Sequence, residues 1–214
     1  MRTVLRVFGE CCLTAGVIVL LFLAYLVWGT ALATSAHQHA FATQLQQQWQ
    51  IHREAKPATT RLHLVTGQPF AFIRIPRFGQ NWRFAIVQGT GLAQLALGPG
   101  HVPGTALPGQ IGNFAVAAHR VTAGNPFYHL NELRAGDKVV IVTAATRYTY
   151  QVTHTALVLP GDIAVLDPVP GHPHKRPRQA SITLITCDPP WTGTHRIIVF
   201  GSLGAQTPRT GLNG

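Results

Sequence analysis

The feature that most limits how this chain can fold is an uncharged apolar segment near its N-terminus. Residues 11–34 read CCLTAGVIVLLFLAYLVWGTALAT and carry no charge, and no charged side chain follows until Arg53. A helix of about 20 apolar residues crosses the hydrocarbon core of a bilayer, so we expect a membrane-spanning anchor here. The ALA sequence at 31–33 keeps a cleaved signal peptide open as the alternative.

The charges that flank this segment predict its orientation. Arg2 and Arg6 precede it, and nothing basic follows it closely. By the positive-inside rule, residues 1–10 stay in the cytoplasm and residues 35–214 lie on the outer side of the plasma membrane. We therefore expect a single-pass protein with an extracytoplasmic domain.

The net charge of the chain is +10, which raises the question of nucleic-acid binding. The arginines are scattered, however, apart from the HKRPR sequence at 174–178, and no motif interleaves aromatic and basic residues. We expect no nucleic-acid partner. A basic exported domain is better suited to anionic lipid or cell-wall polymer.

The three cysteines are distributed unevenly. Cys11 and Cys12 lie at the cytoplasmic end of the apolar segment, and Cys187 is alone in the exported region. Small exported domains use cysteines in pairs as disulfides. A single thiol in this position is either a buried apolar residue or a reactive nucleophile.

The rest of the chain divides into a stalk, one domain and a tail. Residues 35–66 are rich in Gln, His and Ala and predict a partly helical or disordered stalk. Residues 67–204 contain many short apolar runs broken by Gly and Pro, which predict an all-β barrel or sandwich with short helices at 91–97 and 125–133. The runs that predict strands are FAFIRIP, RFAIVQG, NFAVAAH, KVVIVTA, RYTYQVTHTALVL, SITLITC and HRIIVFGSL. We expect residues 205–214 to be a frayed tail.

Three reactive side chains stand at the ends of predicted strands. Cys187 ends SITLITC and is followed by DPP, which cannot continue a ladder. Arg196 opens the next strand, so a loop at 188–195 would bring both side chains to one sheet edge. His119 ends another strand in the same way. A histidine can activate a thiol, and an arginine can donate to a carbonyl oxygen that gains negative charge.

Other histidines support weaker hypotheses. His172 and His174 in GHPHKR are spaced like metal ligands, but no third ligand is evident, so we expect no metal site. His101 in GPGHVPGT remains open between a structural and a functional role.

Together these motifs resemble the sortase family. TLITC at 183–187 is similar to the T-L-x-T-C motif of sortases, with Arg196 at the place of their arginine and His119 at the place of their histidine. The surrounding segments IRIPRFGQNWRFAIVQGT and LGPGHVPGTALPGQIGNFAVAAHR resemble class E sortases of high-GC Gram-positive bacteria. The resemblance covers about residues 68 to 203.

The resemblance implies a fold, a reaction and a set of residues. The fold would be a closed sortase-type β-barrel of about eight strands. Cys187 would be the nucleophile, Arg196 the oxyanion donor and His119 the acid and base, with Thr186, Ala118 and Ala123 near the substrate. The reaction would cleave the Thr-Gly bond of a sorting signal and pass the acyl group to an amine of a cell-wall precursor or a pilin. It requires no cofactor, and we find no acidic cluster for calcium.

Two positions depart from the class E pattern. Ala118 replaces the glycine that commonly precedes the histidine, and Ala123 replaces a tyrosine associated with choosing alanine as the second signal residue. The choice between Leu-Ala-x-Thr-Gly and Leu-Pro-x-Thr-Gly therefore stays open. A thiol hydrolase, an L,D-transpeptidase-like enzyme and a non-catalytic scaffold are the rival functions.

Overall fold

The computed structural model describes residues 2–25, 29–54 and 64–209. Its helices are α1 Arg2–Ala24, α2 Thr30–Glu54 and α3 Leu92–Leu97. Its strands are β1 Pro69–Arg74, β2 Arg83–Gln88, β3 Gly100–His101, β4 Gly112–Ala117, β5 Lys138–Val142, β6 Thr146–Val158, β7 Ala180–Asp188 and β8 His195–Pro208. Short 3₁₀ turns span Pro76–Phe78, Leu130–Glu132 and Ile163–Leu166.

The eight strands close into one barrel in the order β1-β2-β3-β4-β7-β8-β6-β5. The pairs β2/β3 and β4/β7 are parallel, and the other pairs are antiparallel. Closure removes the free sheet edges that would otherwise pair with another chain. The predicted closed barrel of about eight strands, with short helices, is confirmed.

The strand sequences explain why the barrel forms. β7 is ASITLITCD and β5 is KVVIV, both rich in the β-branched residues that favour pleated, half-buried surfaces. Alternate side chains fill the interior with aliphatic and aromatic groups, among them Phe114, Tyr150, Ile182 and Leu184. Period-two alternation therefore decides which residues of each strand face outward.

The stalk predicted at 35–66 contains a helix that is packed on the barrel. In α2, Leu45 and Trp49 are 1% and 4% exposed and contact Phe72 of β1 and Val140 of β5. Gln38 of α2 accepts a hydrogen bond from the Ala85 amide of β2 at 2.6 Å and donates to the carbonyls of Ala85 and of Leu97 in α3. The described part of this segment thus covers the outer face of β1, β2 and β5. The remaining stalk residues 55–63 lie outside the described residues.

The N-terminal apolar helix begins and ends earlier than the sequence predicted. α1 spans Arg2–Ala24 and is the one helix in the described ranges that is long and apolar enough to cross a membrane. Residues 30–34, which we assigned to the span, belong to α2. There Thr34 is 2% exposed and its hydroxyl donates to the Ala96 carbonyl at 2.9 Å. A residue held against the barrel in this way belongs to the folded domain and not to a membrane span.

Two further boundaries differ from the prediction. β3 is only two residues long and lies within GPGHVPG, where glycine and proline predict a loop. β8 continues to Pro208 because Ala205 and Thr207 pair with Thr149 and Arg147 of β6. The first part of the predicted tail is therefore strand, and residues 210–214 lie outside the described residues.

Candidate active site

Cys187 and Arg196 face each other across adjacent strands. β7 and β8 are antiparallel, and their register pairs Cys187 directly with Arg196. Directly opposed residues of an antiparallel pair project to the same face of the sheet, with β-carbons about 4.5–5.5 Å apart. The sequence prediction that the loop after Cys187 brings these two side chains to one edge is confirmed by this register.

His119 reaches the same face through the parallel pairing of β4 and β7. The ladder pairs Ala117 with Ile185, and the Ala118 amide continues it by donating to the Ile185 carbonyl at 3.1 Å. Two residues further along each strand lie His119 and Cys187. His119 therefore directly follows the β4 side of this ladder, and β4 and β8 flank β7 on opposite sides.

The alternation along the three strands places all three side chains on the outside of the barrel. Phe114 and Val116 of β4, Leu184 of β7 and Ile197 and Val199 of β8 fill the interior. The residues of opposite parity, which include His119, Cys187 and Arg196, project outward. All three are partly exposed, as groups that meet a substrate must be.

The loop between β7 and β8 closes tightly over this site. Gly193 has φ +60°, a left-handed conformation that favours glycine. A β-carbon at Gly193 would lie 3.7 Å from the Cys187 Sγ and 3.6 Å from the Arg196 Nη1. A larger side chain there would occupy the space in front of the thiol.

Arg196 is held by this loop through one of its nitrogens. Its Nη1 donates to the Gly193 carbonyl at 2.7 Å and to the His195 carbonyl at 2.8 Å. The Nη2 and Nε groups make no hydrogen bond to the part of the chain that the structure describes. The guanidinium is therefore oriented by two bonds and still has donors left for a substrate oxygen.

Partial burial shifts the pKa of His119. Desolvation lowers the pKa of His119 below its usual value, since burial disfavours the charged imidazolium. Its carbonyl accepts the Phe127 amide at 3.2 Å, which fixes the backbone of the loop that follows β4. At neutral pH the imidazole is mostly neutral, and a neutral imidazole can accept a proton.

The other predicted site residues lie deeper than these three. Ala118 is 5% exposed and belongs to the barrel core, and Thr186 is 2% exposed with its hydroxyl donating to the Ala118 carbonyl at 2.9 Å. Ala123 is 5% exposed and has φ +52° in the loop after His119. The assignment of these residues to the substrate stays a prediction.

His101 is a structural residue. It is 2% exposed, its Nδ1 lies 2.7 Å from the Gln88 Oε1, and its Nε2 lies 2.9 Å from the Thr105 hydroxyl. Its ring stacks on Phe114 with centroids 5.2 Å apart. These contacts satisfy both ring nitrogens inside the barrel, and burial lowers the pKa of His101.

Comparison with known proteins identifies the family. The family model for the sortase domain matches residues 73–204, which include the three outward-facing side chains at the strand ends. The chain belongs to the sortase family. The sequence resemblance is thereby confirmed, both in the family and in its class E relatives.

Two curated relatives come from Streptomyces coelicolor. Sortase SrtE1 is 33% identical over 96% of this chain, and sortase SrtE2 is 29% identical over 92% of it. The present sortase spans 58% of the length of SrtE1 and 81% of that of SrtE2.

Solved structures show the same barrel. Sortase E from Streptomyces avermitilis is 41% identical, with a TM-score of 0.61 over 67% of this chain and 93% of that one. The SrtF sortase from Corynebacterium diphtheriae is 30% identical, with a TM-score of 0.68 over 73% of this chain and 95% of that one. The fold of this sortase is therefore shown by both sequence and structure.

Sequence reasoning missed residues that support the site in this sortase. Arg120 directly follows His119, Asp188 directly follows Cys187, and the two form an ion pair. Gly193 lies against the thiol in the β7–β8 loop. The only signal in the sequence was their position next to the predicted reactive residues, and adjacency along a strand does not place two side chains on one face.

Proposed function

We propose that this chain is a membrane-anchored cysteine transpeptidase that cleaves a sorting signal between threonine and glycine. Sortases are cysteine transpeptidases. The observation that carries the proposal is the direct pairing of Cys187 with Arg196, with His119 two residues beyond the last β4–β7 pair. A thiol, a proton carrier and a fork of donors are the groups that acyl transfer needs.

In the first step, neutral His119 takes the proton of the Cys187 thiol, and the resulting thiolate attacks the carbonyl carbon of the substrate threonine. The C–S bond forms, and the carbonyl oxygen takes on the negative charge. Arg196 donates from its unoccupied nitrogens to that oxyanion. When the tetrahedral intermediate collapses, the C–N bond breaks and His119, as imidazolium, gives its proton to the leaving glycine amine. The product is a thioester between the threonine and Cys187.

In the second step, an amine replaces the glycine. Its nitrogen attacks the thioester carbonyl, neutral His119 accepts its proton, and the C–S bond breaks to release the thiolate. Because burial lowers the pKa of His119, this residue is ready to act as the base in this step. The acceptor would be an amine of a peptidoglycan precursor or of a pilin subunit.

Ala123 is the candidate for control of the second signal residue. It is buried in the loop that follows His119 and holds a left-handed backbone. A tyrosine side chain there would offer a ring and a hydroxyl, and alanine offers neither. We infer that the site accepts both alanine and proline at the second position of the signal, since losing a few apolar contacts changes selectivity by only about 1–3 kcal/mol.

The N-terminal helix α1 would anchor the barrel at the outer side of the plasma membrane. α1 is 23 residues long, or about 35 Å at the helical rise, which is enough to cross a bilayer. With Arg2 and Arg6 on the inner side, the barrel would lie outside the plasma membrane. There it would meet both exported substrates and wall precursors, whose anionic character suits a chain of charge +10.

The test uses the full chain in detergent with a Leu-Ala-x-Thr-Gly peptide, an amine and product detection by mass. The wild-type chain should yield both the cleaved glycine fragment and the acyl–amine conjugate. A Cys187→Ala variant should yield neither, and it should melt close to the wild-type temperature because it removes one sulfur at a partly exposed strand end. Cleavage without conjugate at saturating amine would indicate a thiol hydrolase instead.

A further inference from the structure

A second pair of side chains lies directly behind the proposed catalytic residues. Arg120 follows His119 and Asp188 follows Cys187, and their two side chains meet. Arg120 is 8% exposed and the Asp188 side chain is 26% exposed, and the guanidinium Nη1 forms an ion pair with the Asp188 carboxylate. This bridge joins the segment that follows β4 to the end of β7.

The Arg120 guanidinium binds more than the carboxylate. Its Nη1 also donates to the Cys187 carbonyl at 3.3 Å, its Nη2 to the Asn131 Oδ1 at 3.0 Å, and its Nε to the Tyr128 carbonyl at 3.4 Å. The four acceptors belong to β7 and to the loop that follows His119. Only a planar fork with donors on three nitrogens can serve them together.

We propose that Arg120 is a positioning residue for the thiol and the imidazole, an assignment that rests on the proposed transpeptidase function. At the level of His119 and Cys187 the β4–β7 ladder has ended, so β7 is held there by its β8 neighbour on one side only. Arg120 replaces that restraint by holding the Cys187 carbonyl itself and the loop that starts at His119. Small displacements of a reacting group reduce its rate strongly, so this restraint matters for turnover.

The charge of Arg120 has a second consequence. Asp188 places a carboxylate one residue from the nucleophile, and a negative charge there disfavours a thiolate. The ion pair neutralises that carboxylate. Removing Arg120 would therefore both loosen the strand ends and leave an uncompensated charge beside Cys187.

The kinetic test compares substitutions of two buried or half-buried arginines that each pair with an aspartate. Arg120→Gln should lower kcat by at least about thirtyfold and leave KM within about threefold, because Arg120 is 8% exposed and offers a bound peptide little surface. Arg120→Lys keeps the charge but loses the fork, and kcat should fall by at least about fivefold. The matched control is Arg77→Gln, which breaks the Arg77–Asp137 bridge of 3.3 Å and should leave both constants unchanged.

Each variant is first melted, and rates are measured well below the melting temperature. A folded Arg120 variant with kcat within twofold of wild type would overturn the proposal, and so would a loss confined to KM. If Arg120→Gln does not fold, Arg120→Lys decides on the same criteria. Failure of both variants to fold would make Arg120 a folding residue and overturn the positioning role as well.

A second measurement does not depend on transfer activity. In a Cys11→Ser, Cys12→Ser background, Cys187 is the sole thiol, and its alkylation by iodoacetamide at neutral pH reports thiolate reactivity. Arg120→Gln should slow alkylation at least about fivefold, while Arg77→Gln should change it by less than about twofold. Equal rates in Arg120→Gln and wild type would overturn the proposal. A wild-type chain that alkylates as expected but transfers no peptide would instead count against the proposed function alone.

Discussion

Replacement of Arg196 by lysine tests the oxyanion role at its most specific point. Lysine keeps the positive charge and a similar reach, and it loses the planar arrangement of donors. In the structure, the Arg196 Nη1 is fully used by the Gly193 and His195 carbonyls. Only Nη2 and Nε are left to meet the developing charge, and lysine has neither.

The expected magnitude follows from these contacts. A guanidinium has five N–H donors, of which the two on Nη1 are bound to the loop. A lysine ammonium placed at Nη1 would keep the loop bonds and lose the donor aimed at the oxyanion. Losing one such donor raises the barrier by about 2.7–4 kcal/mol, and each 1.36 kcal/mol is about a tenfold change in rate. Arg196→Lys should therefore reduce kcat/KM by about 10²- to 10³-fold.

The assay is peptide transfer to a fixed amine, with initial rates of conjugate formation measured by mass. Arg134→Lys is the control, since Arg134 is exposed and lies in a different loop, and its rate should match wild type. Both variants should melt within about 3 °C of wild type, because neither changes a buried apolar contact. A kcat/KM for Arg196→Lys within threefold of wild type would return Arg196 to an ordinary surface role and refute the oxyanion assignment.

Four further predictions concern selectivity, packing, pH and the membrane. In a competition between both peptides, the wild-type chain should use Leu-Pro-x-Thr-Gly within about tenfold of Leu-Ala-x-Thr-Gly. Ala123→Tyr should increase the preference for the alanine peptide, and Ala123→Gly should not. If the wild-type chain rejects the proline peptide by about a hundredfold or more, Ala123 does not control this choice. Trp49→Ala should lower the free energy of unfolding by about 3–5 kcal/mol in denaturant melts. The Trp49 ring is 4% exposed and packs edge-on against Phe72, with ring centroids 5.5 Å apart. A change below about 1 kcal/mol would mean that α2 does not pack on the barrel in solution. Burial lowers the pKa of His101, so the stability that neutral His101 contributes is fully present above about pH 6.5 and is lost as the pH falls through the folded-state pKa. The melting temperature should therefore decrease over this pH range. It should decrease less in the His101→Gln variant. After an alkaline wash, the chain should remain with the membrane and keep Met1, whereas a released chain beginning near residue 35 would indicate cleavage.

Local rules were enough to predict one half of the candidate site. Cys187 ends an apolar run, prolines forbid its continuation, and Arg196 opens the next run, so a hairpin had to bring the two together. The place of His119 could not be obtained in the same way. Its neighbourhood depends on β4 lying parallel to β7, a pairing between segments about 70 residues apart, and only the family resemblance supplied it.

The packing of α2 on the barrel was missed because the composition of this segment is misleading. Gln, His and Ala dominate it, which favours a solvated stalk. The positions that meet the rest of the domain nevertheless follow a helical stripe at Thr34, Gln38, Leu45 and Trp49, with spacings of four, seven and four residues. Two of these positions are polar, and they contact the domain because α3 and β2 offer carbonyl and amide partners that sequence analysis cannot see.

The register of β7 explains why the nucleophile and its supporting carboxylate cannot exchange places. Ile182 and Leu184 face the core, so Cys187 projects outward to the substrate and Asp188 projects inward to Arg120. Inserting one residue between Leu184 and Cys187 would reverse this order, because side chains alternate with a period of two. The thiol would then point into the closed barrel and the carboxylate onto the outer face. Cys187 and Asp188 at this strand end lie next to His119 and Arg120, which follow β4. Each segment thus supplies one reactive residue and one member of the supporting ion pair. Chemistry on the outer face depends on the pairing of charges on the inner one.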